Sequence, residues 1–306
     1  MNIREWTLPV YTILMQLATG ALLALWIVRT FNKAKFGEEA LDRIFRYPLF
    51  VIFITTLIAM AGAHLHLSRP LFSILSVLNF HTSWLSREIA FNILYFITVV
   101  ILLLLIWFQA GKHLLKTALG WIAIALGLIT VYCMGRVYLI STQPAWNTPI
   151  TILSFYFTTL LLGVMSLSLM MILDLKFAEV RAQADLNVRL QLLKDSLVWF
   201  AIVAVVAAGA IIAANFLEIS YLRSGSKEAL TSLQLLLGLY APLLSIRMAA
   251  MLAGISLFVV SIFLMIRRNK QANELLFPLY ISCMLVIIGE ILGRILFYAT
   301  HVRIGI

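Results

Sequence analysis

Residues 61–89 read AGAHLHLSRPLFSILSVLNFHTSWLSREI, and their polarity decides how the whole chain is placed. His64, His66, Arg69, His81, Arg87 and Glu88 fall in one short interval between two long apolar runs. Pro70 stops the run before it, because the residue ahead of a proline is pushed out of the helical region. A second run opens at Ile89. A membrane-spanning helix needs about 20 mostly apolar residues. The interval therefore reads as the point where the chain leaves one span and enters the next. His64 and His66 sit in the last turns of the first of these spans. Glu88 sits in the first turn of the second, where the helix dipole favours a carboxylate. The connector between them, from Leu71 to Arg87, is almost uncharged and amphipathic, and it is expected to lie along the membrane interface.

The same pattern extends over the chain. Of 306 residues, 63% are hydrophobic and 12% charged, where a soluble domain has roughly 45–50% and about 25%. Eight apolar stretches can span, at about 6–30, 44–67, 89–111, 114–140, 149–173, 197–216, 242–266 and 277–300. They are continuous rather than alternating, which excludes strand spans. The expected fold is an all-α integral membrane protein, a bundle of eight transmembrane helices forming a single polytopic domain over residues 1–306. The segment 174–195, rich in both charges, reads as a helical extension or solvated link after the fifth span. The formal net charge of +10 does not point to nucleic acid, because the basic residues gather in one set of connectors. Fourteen, from Arg29 to Lys270, fall on one side, against six on the other (Arg4, Arg69, Arg87, Arg223, Lys227 and Arg303). By the positive-inside rule both termini lie on the periplasmic side of a bacterial inner membrane, with the lipid bilayer as surroundings. Cys133 and Cys283 lie within apolar runs without a CxxC spacing, so no iron–sulfur or zinc site is expected in this chain.

Ionisable groups inside spans are costly and face the bundle interior or a water path. Arg136 and Tyr138 lie in the outer half of the fourth span, Arg247 near the outer start of the seventh, and Arg294 in the outer half of the eighth. Glu290 is nearer the midplane, and its i+4 spacing to Arg294 predicts a structural ion pair. Gln16 in the first span is either helix–helix glue or a pocket donor. His64 and His66, two residues apart, point to opposite faces, so at most one serves any given pocket. The plain alternative for either is an interface histidine bonded to a carbonyl. A transmembrane haem needs histidines on two facing spans, a condition the five histidines meet poorly; no haem or metal is expected. The clustering of costly groups in the outer half points to a site at the outer face. A transporter more often places such groups at the midplane in two related halves.

Five motifs resemble one known family from end to end. They are EWTLPVYTILMQ (5–16), LHLSRP (65–70), LSREIA (85–90), GRVY (135–138) and GEILGRILFYATH (289–301). The chain is similar to the DmsC family, the membrane-anchor subunits of dimethyl sulfoxide reductase complexes, and more distantly to NrfD-type anchors. The resemblance implies a menaquinol-oxidising anchor with no redox group of its own. It implies two partner subunits on the periplasmic face: an electron-transfer subunit with iron–sulfur clusters and a catalytic subunit with molybdopterin. The family's functional histidine maps to His66 and its functional acid to Glu88. His64, Arg69, Arg136, Tyr138 and Gln16 are the candidates to line the quinol pocket. Where members commonly have Gly-Ser before the proline, this chain has Ser68 and Arg69, which leaves the terminal acceptor open. The outer segments 70–87, 141–148, 218–241 and 301–306 are the expected docking face. The rival readings are an anchor for an N-oxide or other oxyanion reductase, a plain tether, and a small-molecule transporter.

Overall fold

The computed structural model describes residues 3–65, 70–180, 185–268 and 272–305. Among the described residues every regular element is helical. This follows from the continuous apolar runs, since a segment inside lipid must satisfy its backbone hydrogen bonds internally. In chain order the helices are α1 (Ile3–Phe36), α2 (Glu38–Leu65), α3 (Trp84–Trp107), α4 (His113–Val137) and α5 (Pro149–Val180). They continue with α6 (Leu186–Arg223), α7 (Lys227–Leu237), α8 (Ala241–Arg268) and α9 (Ala272–Ala299). All but α7 are long and apolar enough to cross a membrane, which gives eight spans. The connector after α2 forms a 3-10 helix, Pro70–Asn79. Ser83 then caps α3 by accepting from the Ser86 amide.

α1 and α5 form the centre. Burial covers 78% of the α1 span and 72% of the α5 span, against 39% for each of the other six. Between apolar helices in lipid, close packing replaces the hydrophobic drive, so small residues mark the tightest contacts. A Cβ on Gly20 would lie 1.9 Å from the Thr159 carbonyl oxygen, and one on Gly163 would lie 2.3 Å from the Gly20 backbone. The two helix backbones therefore touch at these glycines. α8 and α9 pair with each other, with the Ser282 hydroxyl donating to the Gly254 carbonyl at 2.7 Å.

Successive spans alternate in direction, so the bundle has two unlike ends. At the N-terminal end, Trp146 of the α4–α5 connector donates to the Phe297 carbonyl at 2.8 Å. The Ile304 amide of the tail donates to the Thr142 carbonyl at 3.0 Å. α7, absent from the sequence expectation, lies in the connector at this same end. The opposite, basic end differs from expectation in a more informative way. The charged residues there do not end the helices. α6 runs for 38 residues, about 57 Å at 1.5 Å per residue, where about 30 Å spans the hydrocarbon. Its first turns, with the ends of α1 and α5 and the start of α2, extend the bundle at that end.

Arg29, Lys116 and Arg189 count as connector charges by sequence, yet each is buried and paired. Arg29 donates to Asp42 Oδ1 at 2.9 Å and Lys116 donates to Asp42 Oδ2 at 2.8 Å. Arg189 pairs with Asp174. Asp42 thus ties α1, α2 and α4 together through two cations. Breaking a buried pair by removing one partner costs about 3–5 kcal/mol, because a buried charge is left alone. Asp42→Asn is expected to lower stability by about 3 kcal/mol, read as a lower midpoint of thermal inactivation for the purified complex. An unchanged midpoint would show that Arg29 and Lys116 find other partners.

Candidate functional site

The polar residues at the N-terminal end assemble around α1. α3 starts at Trp84, earlier than the apolar run suggested, so Glu88 lies in its second turn rather than its first; it is 6% exposed. The Tyr11 hydroxyl of α1 donates to Glu88 Oε1 at 2.7 Å. Asn92, one helical turn after Glu88 and on the same face, donates to the Tyr11 hydroxyl oxygen at 3.2 Å. Asn92 Oδ1 has no hydrogen-bond partner among the described residues. The result is a buried carboxylate held by a phenol, with an amide behind the phenol.

The other candidates fall in neighbouring groups. Gln16 is fully buried. It donates to the Phe155 carbonyl of α5 at 3.0 Å and accepts from Arg294 of α9 at 3.0 Å. It is thus helix–helix glue by geometry. The Arg294 guanidinium lies 3.8 Å from the Phe155 ring centroid. The expected Glu290–Arg294 ion pair is absent: Glu290 instead accepts from the Thr158 hydroxyl at 2.7 Å. With Gln16 and Phe155 in place, the arginine is drawn toward α1, away from its i−4 neighbour. Tyr138 caps the end of α4, and its hydroxyl shares a short hydrogen bond with that of Tyr298. Arg136 stacks on the Trp84 ring at 4.7 Å, and Arg87 stacks on the same ring at 4.2 Å. Arg87 also donates to the Phe80 and His81 carbonyls, holding the turn before α3. Arg136 makes none of the hydrogen bonds of the Tyr11–Glu88–Asn92 group.

His66 and Arg69 lie outside the described residues. His64 falls in the last turn of α2, with its side chain likewise outside them. Tyr11, Asn92 and Tyr298 do not stand out from sequence. Asn92 carries a signal, its i+4 spacing from Glu88. Tyr11 and Tyr298 stand inside the quoted motifs, but tyrosines in apolar helices are common and nothing local sets these two apart. Among the described residues, no cluster of three or more His, Cys, Asp or Glu is placed to hold a metal. Cys133 and Cys283 are buried free thiols.

The fold and these groups define a polytopic helical membrane subunit with a buried polar assembly at one end. The chain belongs to the DMSO reductase anchor subunit (DmsC) family, whose model matches residues 1–300. It is 28% identical over 305 residues to YnfH, an anaerobic dimethyl sulfoxide reductase subunit of Escherichia coli, covering 98% of this chain and 96% of that one. It is 27% identical over 303 residues to the C subunit of anaerobic dimethyl sulfoxide reductase from the same organism, with the same coverage. Against the corresponding C subunit of Haemophilus influenzae the identity is 29%, over 60% of this chain and 64% of that one. The chain is therefore a multi-pass membrane anchor of a DMSO reductase-type complex.

The three-residue group makes a quantitative expectation. Tyr11→Phe removes a hydrogen bond to a carboxylate and is expected to cost about 1.5–3 kcal/mol of stability. Adding Asn92→Leu should cost little more, because Asn92 has already lost its acceptor and coupled residues are not additive. Thermal midpoints of the two single variants and the double variant check this. Full additivity would show the two bonds to be independent.

Proposed function

We propose that this chain, as one anchor domain over its whole length, binds menaquinol at the N-terminal end of the bundle and oxidises it there. This end faces the periplasm, by the excess of basic residues at the opposite end. The electrons pass to an iron–sulfur subunit docked on that face and from there to a molybdopterin catalytic subunit. The observation that carries the reading is the buried Glu88 carboxylate held by Tyr11, one connector away from the LHLSRP motif.

Oxidising one quinol to quinone releases two electrons and two protons. The electrons need an acceptor outside this chain, which the iron–sulfur partner supplies. The protons need bases. His66, whose unperturbed pKa lies near neutrality, takes a proton from one quinol hydroxyl. Glu88 receives and relays it, which frees His66 to take the second proton by the same route, and Tyr11 keeps the carboxylate aimed. Arg69, Arg136, Tyr138 and Gln16 surround the head group, while His64, two residues before His66, faces away from the pocket that His66 serves. Tyr138 and Gln16, whose side chains are already bonded within the bundle, act by holding the walls rather than by donating freely. The docking face is built from segments that lie together: Trp146 stacks on His301 at 4.4 Å, and the Tyr221 hydroxyl reaches the Asn147 carbonyl.

Affinity for a quinol analogue, measured on the purified complex, tests the site. His66→Ala and Glu88→Gln should each lower analogue affinity or quinol-dependent turnover by about tenfold or more with assembly intact. Wild-type values for both would sink the assignment. Orientation is tested separately in sealed membranes whose periplasmic face is outward. A membrane-impermeant thiol reagent should spare Lys33→Cys there and label it once the membranes are inverted, with the buried native Cys133 and Cys283 silent. The reverse pattern would invert the topology.

A further inference from the structure

A second polar site lies between α5, α6, α8 and α9, beyond Arg294 as seen from Glu88. It is a cleft of about 60 Å³. Its floor is Glu290, 3% exposed, and Arg294, 7% exposed. Glu218 and Arg247, both half-buried, stand nearer its mouth. Each floor group is held on one side and open on the other. Thr158 occupies Glu290 Oε2, while Oε1 has no hydrogen-bond partner among the described residues. Gln16 occupies one Arg294 nitrogen, while Nε has none. Arg247 donates to Asn215 Oδ1 at 2.9 Å. It lies directly against α9 at Gly293, where a Cβ would fall 2.4 Å from Arg247 Nε and push the guanidinium aside.

Burying a polar atom without a partner costs about 1–3 kcal/mol, and here several such atoms border one space. Two carboxylates face two guanidiniums, so the site favours neither anion nor cation. A water needs about 10–15 Å³ of space on this measure, so the cleft takes a few waters and is too small for a quinol ring. The polar groups also continue toward Glu88. Arg294 lies close to Tyr138, Tyr298, Glu290 and Arg247. Tyr298 shares its hydrogen bond with Tyr138 and lies within hydrogen-bonding reach of Thr12 on α1, the neighbour of Tyr11, which holds Glu88. Hydroxyls from α1, α4 and α9 thus stand between the Glu88 carboxylate and Arg294 at the edge of the cleft.

We propose that this cleft is a water-filled outlet for the protons released when quinol is oxidised, an inference that rests on the quinol reading above. The electrons leave through the iron–sulfur partner docked over the end of the bundle. The protons leave sideways, through waters that bridge the tyrosine hydroxyls and Glu290, and reach bulk water past Glu218 and Arg247.

The test uses the purified whole complex and two readouts. The first needs no quinol. Ser154→Cys, on α5 inside the cleft, should react with a small charged methanethiosulfonate, because thiolate forms only where water reaches. Thr159→Cys, on the α5 side packed against Gly20, should not. An unreactive Ser154→Cys means a dry cleft and overturns the proposal. The second readout is kinetic. Glu290→Gln keeps an acceptor for Thr158 and should lower quinol-dependent turnover about tenfold or more, with analogue affinity unchanged. Azide or another small weak acid should restore part of the rate, and Glu290→Asp should keep most of it. Full turnover in Glu290→Gln overturns the proposal, as does a loss that no weak acid restores. Affinity falling in parallel overturns it too, since the cleft would then belong to the quinol pocket itself. Failure of the quinol reading looks different: His66→Ala and Glu88→Gln would keep analogue binding, whatever Glu290 does.

Discussion

The touching backbones of Gly20 and Gly163 put α1 in the middle of the bundle, and most of the polar architecture follows from that placement. A helix at the rim could offer its polar face to one neighbour. α1 offers Tyr11 to α3, Gln16 to both α5 and α9, and Arg29 to α2 and α4. Each of these side chains would be costly against lipid. Each is satisfied because a different helix reaches it, and those helices can reach it only because nothing bulkier than hydrogen separates α1 from α5.

The two ends of the bundle treat buried charge differently. At the basic end carboxylates meet cations directly, as Asp42 meets Arg29 and Lys116, and Asp174 meets Arg189. Such pairing holds both partners ionised and the helices locked. At the N-terminal end, among the described residues, Glu88 is held by a phenol, Glu290 by a hydroxyl and Arg294 by an amide. For Glu88 the neutral partner fixes the position of the carboxylate with no paired cation to fix its protonation. An end built in this way suits proton exchange, and an end built of ion pairs suits anchorage.

The eight spans are legible because lipid imposes a length and a composition that a single chain displays openly. Glu88 is legible for a related reason: a carboxylate at the edge of an apolar run stands out, although α3 starts at Trp84 and puts it in the second turn. Helix ends at the basic side are not, because Arg189 and Asp195 look like the end of a span, and their partners, Asp174 and Lys35, lie on other helices. The same limit hides Tyr11, whose role depends on a residue 77 positions away. The i+4 rule misleads at Glu290 and Arg294, since it weighs neighbours on one helix and cannot weigh Gln16 on another. Local spacing reports what a helix could do alone, and in this bundle the tertiary partner decides.

The distances along the chain between hydrogen-bonded partners also set an order of events during synthesis. Gln16 finds the Phe155 carbonyl only after another 139 residues have been made, and Arg294 only after 278. At a ribosomal pace of about 5–20 residues per second, the first helix waits on the order of ten seconds for one partner and about twice that for the other. During that interval its central polar residue has neither. The last helix therefore does not merely extend a finished bundle; its arrival completes the interior of the first, and a nascent chain that stalls before α9 holds an unfinished core.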